Sequence, residues 1–202
     1  YSASKASAEL AIQSYISSFF PIKKTKVLIS VARAGNVIGG GDWSENRLIP
    51  DCVKSWSKNK KVLLRNPNST RPWQHVLEAV GGYLKLAVSL RKNKKLHGEA
   101  FNFGPNDNRN YKVISLVKLM KKYWEKVSWK ISSKRKISFY ESNLLKLNTN
   151  KAKKKLKWKS VLTFKETINM ATEWYKNYYL NPNTIYKISF KQIKKYEEIL
   201  IR

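Results

Sequence analysis

Residues 27–32 constrain the fold more than any other stretch. They form an apolar run rich in Val and Ile, flanked by Lys26 and Arg33, and a glycine-rich loop, GNVIGGGDW at 35–43, follows it closely. A run so short and apolar reads as a strand buried on both faces, as in a parallel sheet covered by helices. Parallel strands need long crossovers, and the flanking sequence alternates accordingly. Upstream, Leu10, Ile12, Tyr15, Ile16, Phe19 and Phe20 recur at roughly helical spacing until Pro21 ends the run. Downstream, Leu48, Ile49, Cys52, Val53 and Trp56 mark a helix with Pro50 near its start, and residues 62–64 a short strand. Asn66-Pro67-Asn68 is a turn. Residues 77–90 read as a helix with Val80, Leu84, Ala87 and Val88 inward, and residues 100–103 as a strand before a loop at 104–107. A helix at 113–124 and a strand at 137–140 follow. Thr163 and Glu166 form a capping box ahead of a helix bearing Ile168, Ala171, Trp174, Tyr175 and Tyr178. The stretch 186–202 is a basic amphipathic helix, expected to dock on the body rather than on a membrane. The expected fold class is α/β.

Charge narrows the partners. Lys and Arg number 41 against 13 Asp and Glu, a formal net charge of +28, and so basic a chain first suggests nucleic acid. The lysines, however, are scattered, as KKTK at 23–26, KNKK at 58–61 and 92–95, and KAKKKLK at 151–157. Single-strand binders interleave such charge with aromatic platforms along one groove. No specific nucleic-acid partner is therefore expected, and a polyanionic small substrate fits the charge better. No apolar run reaches the roughly 20 residues that cross a bilayer. Cys52 is the sole cysteine, so an internal disulfide is excluded, and with only His75 and His97 beside it no metal-ligand cluster is expected. A reducing cytoplasm suits this composition.

A few residues could carry chemistry. Tyr1 and Lys5 stand at i and i+4, sharing one face of the first helix. A phenol has an ordinary pKa of about 10 and is a poor base at neutral pH; an ammonium one turn away favours the phenolate and could let it take a proton from a hydroxyl. The spacing alone leaves a surface pair open in so Lys-rich a chain. The glycine-rich loop lacks the Lys-Ser/Thr of a phosphate loop and is no Gly-x-Gly-x-x-Gly turn. Its place after a buried strand is nevertheless where open α/β sheets bind ligands, and Asn36 there can donate and accept; a plain flexible turn is the alternative. Arg65 and Arg71 flank the turn at 66–70, and a guanidinium grips phosphate bidentately, although a surface arginine remains open. His75 reads as a buried structural histidine rather than a base, and Trp43, Trp56 and Trp73 as core. Paired acids for elimination chemistry are absent near these positions, and Asp42 and Glu45 are candidates only.

Taken in order, Tyr-Ser-Ala-Ser-Lys at 1–5, RAGNVIGGGDW at 33–43, RLIPDCV at 47–53, RNPNSTRPWQHVLEAVGGYL at 65–84 and FNFGP at 101–105 resemble one family. It is the extended short-chain dehydrogenase/reductase family that acts on nucleotide sugars. RPWQHVLE and GGGDW are especially similar to its CDP-glucose 4,6-dehydratases, and Glu141-Ser142-Asn143, Lys151-Ala152 and Leu156-Lys157-Trp158 resemble their C-terminal part. The resemblance implies a Rossmann domain holding NAD and a smaller lobe holding the nucleotide sugar. Residues 1–35 would end the Rossmann domain, 36–180 would be mainly the lobe with elements returning to the core, and 181–202 a basic tail. Tyr1 would be the catalytic tyrosine and Lys5 the lysine that holds the nicotinamide ribose and tunes the phenol. Asn36 and Arg71 would contact the sugar diphosphate, with Arg47 and Arg65 as further substrate contacts. The reaction implied is oxidation at the sugar C4, loss of water across C5 and C6, and hydride return to C6, a step in deoxysugar biosynthesis, in a homo-oligomer. The family's Gly-x-x-Gly-x-x-Gly loop, the Ser/Thr partner of the tyrosine and the acid–base residues of dehydration have no counterpart here, so the chain is expected to be a C-terminal portion that holds no NAD by itself. Open alternatives are an epimerase or dehydratase for another nucleotide, and a non-catalytic basic remnant.

Overall fold

A computed structural model describes residues 2–106, 111–132 and 147–201. The first helix, α1 (Ser2–Phe19), leads into the parallel strands β1 (Val31–Ala34) and β2 (Asn36–Ile38). Next come α2 (Leu48–Ser57), β3 (Val62–Leu64), β4 (Thr70–Arg71), β5 (Trp73–His75) and α3 (Val76–Lys92). Strands β6 (Ala100–Phe103) and β7 (Tyr111–Lys112), α4 (Val113–Lys121) and β8 (Trp129–Ile131) follow. Helices α5 (Asn150–Leu156), α6 (Phe164–Leu180) and α7 (Ile185–Ile201) complete the order. Among the described residues the strands pair as β1–β6, β2–β5 and β3–β8, all parallel, and β4–β7, antiparallel. This is the mixed α/β class expected.

Local signals act where they were read. The capping box closes with Thr163 Oγ1 accepting from Glu166 N–H and the Glu166 carboxylate accepting from Thr163 N–H at 2.8 Å. Ser69 N–H donates to Asn66 O across the turn. In α2 the buried stripe is Ile49, Cys52, Val53 and Trp56, with Pro50 in the first turn, where its missing N–H costs nothing. This helix, α4 and α6 enclose the larger core around Trp56, Leu116, Met120, Ile168 and Tyr175. A second core packs Leu86, Leu90, Phe101, Phe103, Leu156 and Trp158 between α3, α5 and β6.

Four expectations need correction. The strand read at 27–32 runs at 31–34 and is only half-buried, with Val27 51% exposed. Among the described residues β1 is paired on one side only, by β6, while residues 29–30 are held by His97 Nδ1, by Leu96 O and by the Gly98 N–H instead of a ladder. The inward face of α3 is Glu78, Ala79, Gly82, Leu86 and Leu90, whereas Val80, Leu84 and Val88 are exposed. Gly82 decides this: a Cβ there would lie 2.4 Å from the Phe103 ring, so the helix presses its small side onto β6. In α1 only Ile16 is buried, and Leu10, Tyr15 and Phe19 point outward. Helix α4 also stops at Lys121, short of Trp124, and the strand read at 137–140 and the motif 141–143 lie outside the described residues.

The tail docks on the body through polar clamps as well as apolar contact. Gln192 Nε2 donates to Met170 O, Trp174 Nε1 to Ser189 Oγ, and Tyr196 packs with Leu162 and Met170. No helix among the described residues is long and apolar enough to cross a membrane.

Candidate active site

The glycine-rich loop is packed against Val76 of α3 and Trp174 of α6. A Cβ on Gly40 would fall 1.9 Å from the Trp174 ring of α6, and Gly41 has φ +83°, a conformation that L side chains rarely adopt. The loop then folds back on itself. The Tyr175 hydroxyl donates to Asp42 O at 2.9 Å, Lys54 Nζ donates to Trp43 O at 2.8 Å, and Asp42 Oδ1 accepts from Ser44 N–H. The Trp43 ring sits 4.8 Å from Tyr178 and 5.5 Å from Tyr175. Burial first, and then the Asp42 charge, push the Tyr175 phenol well up, so it serves as a donor and not as a base.

Two of the expected substrate contacts, Asn36 and Arg71, lie on short strands. Asn36 opens β2 and lies in register with Trp73 of β5, two residues from Arg71. Gln74 of β5 is buried and its Nε2 donates to Phe103 O at 2.8 Å, bolting β5 to β6. Arg71, half-buried on β4, stands opposite Tyr111 of β7, and its Nη1 donates to Thr70 O at 2.7 Å. Tyr111 stacks on Phe164 at 3.8 Å and 6°, and Trp73 Nε1 donates to Tyr111 O. Arg71, Trp73, Tyr111, Ser160, Leu162 and Phe164 thereby line one narrow cleft.

The other expected residues lie apart from this cleft. Arg47 is the N-cap of α2, makes no side-chain cap bond, and is 3.9 Å from Asp42 Oδ2 with an exposed side chain. Arg65 is exposed just after β3. Lys5 is exposed in the second turn of α1, while Tyr1 lies outside the described residues. One turn beyond Lys5, Glu9 receives both guanidinium bonds of Arg33, which holds its carboxyl below the usual value. His75 is structural, as read. It caps α3 through Nδ1, which accepts from Leu77 N–H, and burial pushes its pKa down to about 4. Among the described residues no group of three His, Cys, Asp or Glu could hold a metal ion. Burial pushes the Cys52 thiol up to about 12, so it is inert.

Sequence reasoning missed Tyr111, Phe164 and Gln74. An amide within the apolar stretch Pro72-Trp73-Gln74-His75-Val76 was a usable signal, because a buried amide must find a partner. Nothing local marked Tyr111 or Phe164, which meet only through the fold.

The fold defines the class: a Rossmann-like α/β arrangement shared with short-chain dehydrogenase/reductase dehydratases and epimerases. An epimerase from Methanothermobacter thermautotrophicus superposes with TM-score 0.69 at 19% identity, over 85% of this chain and 48% of its own. A dTDP-glucose 4,6-dehydratase from Bacillus anthracis, solved with NAD, gives TM-score 0.66 at 21% identity, over 93% of this chain and 54% of its own. In sequence the chain is similar to the CDP-glucose 4,6-dehydratase of Salmonella typhimurium, 39% identical over 180 residues, which bears out the resemblance read from its motifs. That match takes in 87% of this chain and 50% of the relative, so the chain spans about half the length of the curated relative it matches. No family model matches the chain.

Proposed function

We propose that this chain is part of an NAD-dependent dehydratase that converts CDP-glucose to CDP-4-keto-6-deoxyglucose. The observation that carries the reading is the 39% identity to a CDP-glucose 4,6-dehydratase along 87% of the chain. Asn36 on β2 and Arg71 on β4 support it, since an amide and a guanidinium are donors suited to diphosphate oxygens.

The donor set also fits one end of a dinucleotide. Lys5, exposed on α1, offers an ammonium to the hydroxyls of a ribose. The sequence contains no Gly-x-x-Gly-x-x-Gly turn, so on this reading the pyrophosphate is held by residues outside these 202. Bound NAD supplies a reversible hydride acceptor for carbon chemistry at C4 and C6. Tyr1 takes the C4 hydroxyl proton, and Lys5, four residues on in sequence, lowers the cost of the phenolate. Arg71 and Asn36 hold the diphosphate, with Arg47 and Arg65 as outlying contacts to the nucleotide sugar. Loss of the C5 hydrogen and the C6 hydroxyl as water, followed by return of the C4 hydride to C6 with a proton added at C5, would complete the balance.

The test is turnover by the whole protein that contains this chain, supplied with NAD and with CDP-, dTDP- or UDP-glucose. Mass spectrometry should show loss of water from CDP-glucose alone, with deuterium placed at C4 recovered at C6. Turnover of another nucleotide sugar in preference, or deuterium retained at C4, would overturn the reading.

A further inference from the structure

Glu78 is fully buried, 0% exposed, in the first turn of α3. Its Oε1 accepts from three donors of one segment: Ser160 Oγ at 2.9 Å, Val161 N–H at 2.7 Å and Leu162 N–H at 2.6 Å. Its Oε2 accepts from the Tyr196 hydroxyl of α7 at 3.0 Å. Burial pushes the carboxyl above its ordinary value, and the four donors act against that. Four donors from two segments converge on this one carboxyl group, and leaving them unmade in a buried site is costly.

The consequence lies in what Glu78 joins. On one side, α3 continues directly from β5, so Glu78 is rigidly attached to the Arg71–His75 wall of the cleft. On the other side, the segment it grips is the opposite wall, Ser160 and Leu162, which runs straight into Phe164. Phe164 stacks on Tyr111, and Tyr111 is the register partner of Arg71. One carboxylate thus joins the Arg71–His75 wall to the segment 160–162 across the cleft.

We propose that Glu78 is the positioning residue of this cleft, fixing the segment 160–164, and through Phe164 and Tyr111 the Arg71 strand, so that Arg71 is held in place for a nucleoside diphosphate. The ligand class rests on the function proposed above; the mechanical role does not. Tyr196 extends the clamp to the tail, so the docking of α7 reports on the same site.

The experiment follows amide deuterium exchange by mass spectrometry in the whole protein, unsubstituted and as Glu78→Gln, Glu78→Ala and Tyr196→Phe. Residues 71–75 and 111–113 should exchange at least tenfold faster in Glu78→Gln and faster still in Glu78→Ala, while residues 49–57 of α2 stay unchanged. A rise confined to 160–162, a uniform rise that includes α2, or no rise would overturn the proposal. Should neither Glu78 variant fold, Tyr196→Phe decides: a two- to threefold rise in the same two segments supports the clamp, and none refutes it. Titration of CDP in the same samples separates the two inferences. Weaker binding that tracks the exchange supports both. If the unsubstituted protein binds no CDP, the proposed function falls and the exchange data still judge Glu78.

Discussion

Acid should destabilise this chain through His75, and the size of the effect follows from its surroundings. The ring is 1% exposed, and Nδ1 is committed as the acceptor that caps α3, so a proton on Nδ1 would end the bond from Leu77 N–H. Burial lowers the pKa to about 4 in the fold from an ordinary value of 6.5. Between those values the unfolded chain binds a proton that the folded chain does not, so stability rises with pH and is lost on acidification. The contribution is fully present above about pH 6.5; by pH 5 roughly 2 kcal/mol of it is gone, and about 3 kcal/mol once pH falls below 4. Glu78, whose carboxyl is raised by burial, acts in the opposite sense, with stability falling as pH rises above its ordinary value. A difference measurement removes it. His75→Asn keeps a good N-cap acceptor and abolishes the titration. Urea unfolding at pH 7.5, 6.0 and 5.0 should show the unsubstituted chain losing about 2 kcal/mol more than the variant between pH 7.5 and 5.0. Parallel pH profiles for the two proteins would refute the assignment of His75 as a neutral, buried cap.

Other outcomes follow from the site and the packing. Tyr1→Phe in the whole protein should lower turnover by roughly 10²–10⁴-fold while calorimetry finds CDP-glucose affinity retained, since the phenol serves only the proton transfer; undiminished turnover contradicts its role. Arg71→Lys should weaken CDP-glucose binding by about 1–3 kcal/mol, because an ammonium cannot reproduce a bidentate fork, and unchanged affinity would remove Arg71 from the site. Gly82→Ala should destabilise the fold by about 1–3 kcal/mol in urea unfolding through overpacking, its new methyl meeting the Phe103 ring; a neutral result would mean that α3 can shift away from β6.

The sequence alone determined whatever depends on neighbours a few residues away. The capping box of α6, the turn at Asn66, the buried stripe of α2 and the strand at 100–103 are each written in a short window, because their hydrogen bonds or periodicity close locally. The ordered motifs carried the family resemblance for the same reason: each is a contiguous string. Tertiary structure alone decided which face of α3 is buried. Periodicity in residues 76–92 reveals an apolar stripe at Val80, Leu84 and Val88, yet the helix turns that stripe outward. Gly82 lets it approach Phe103, and Glu78 finds four donors more than 80 residues away in sequence. Likewise, Asn36 comes into register with Trp73 only because β2 pairs with β5, and the Tyr111–Phe164 stack exists only once β7 and α6 meet. A side chain's own chemistry states what it needs, such as a donor, a ring or a small neighbour; which distant residue meets that need is set by how the whole chain packs.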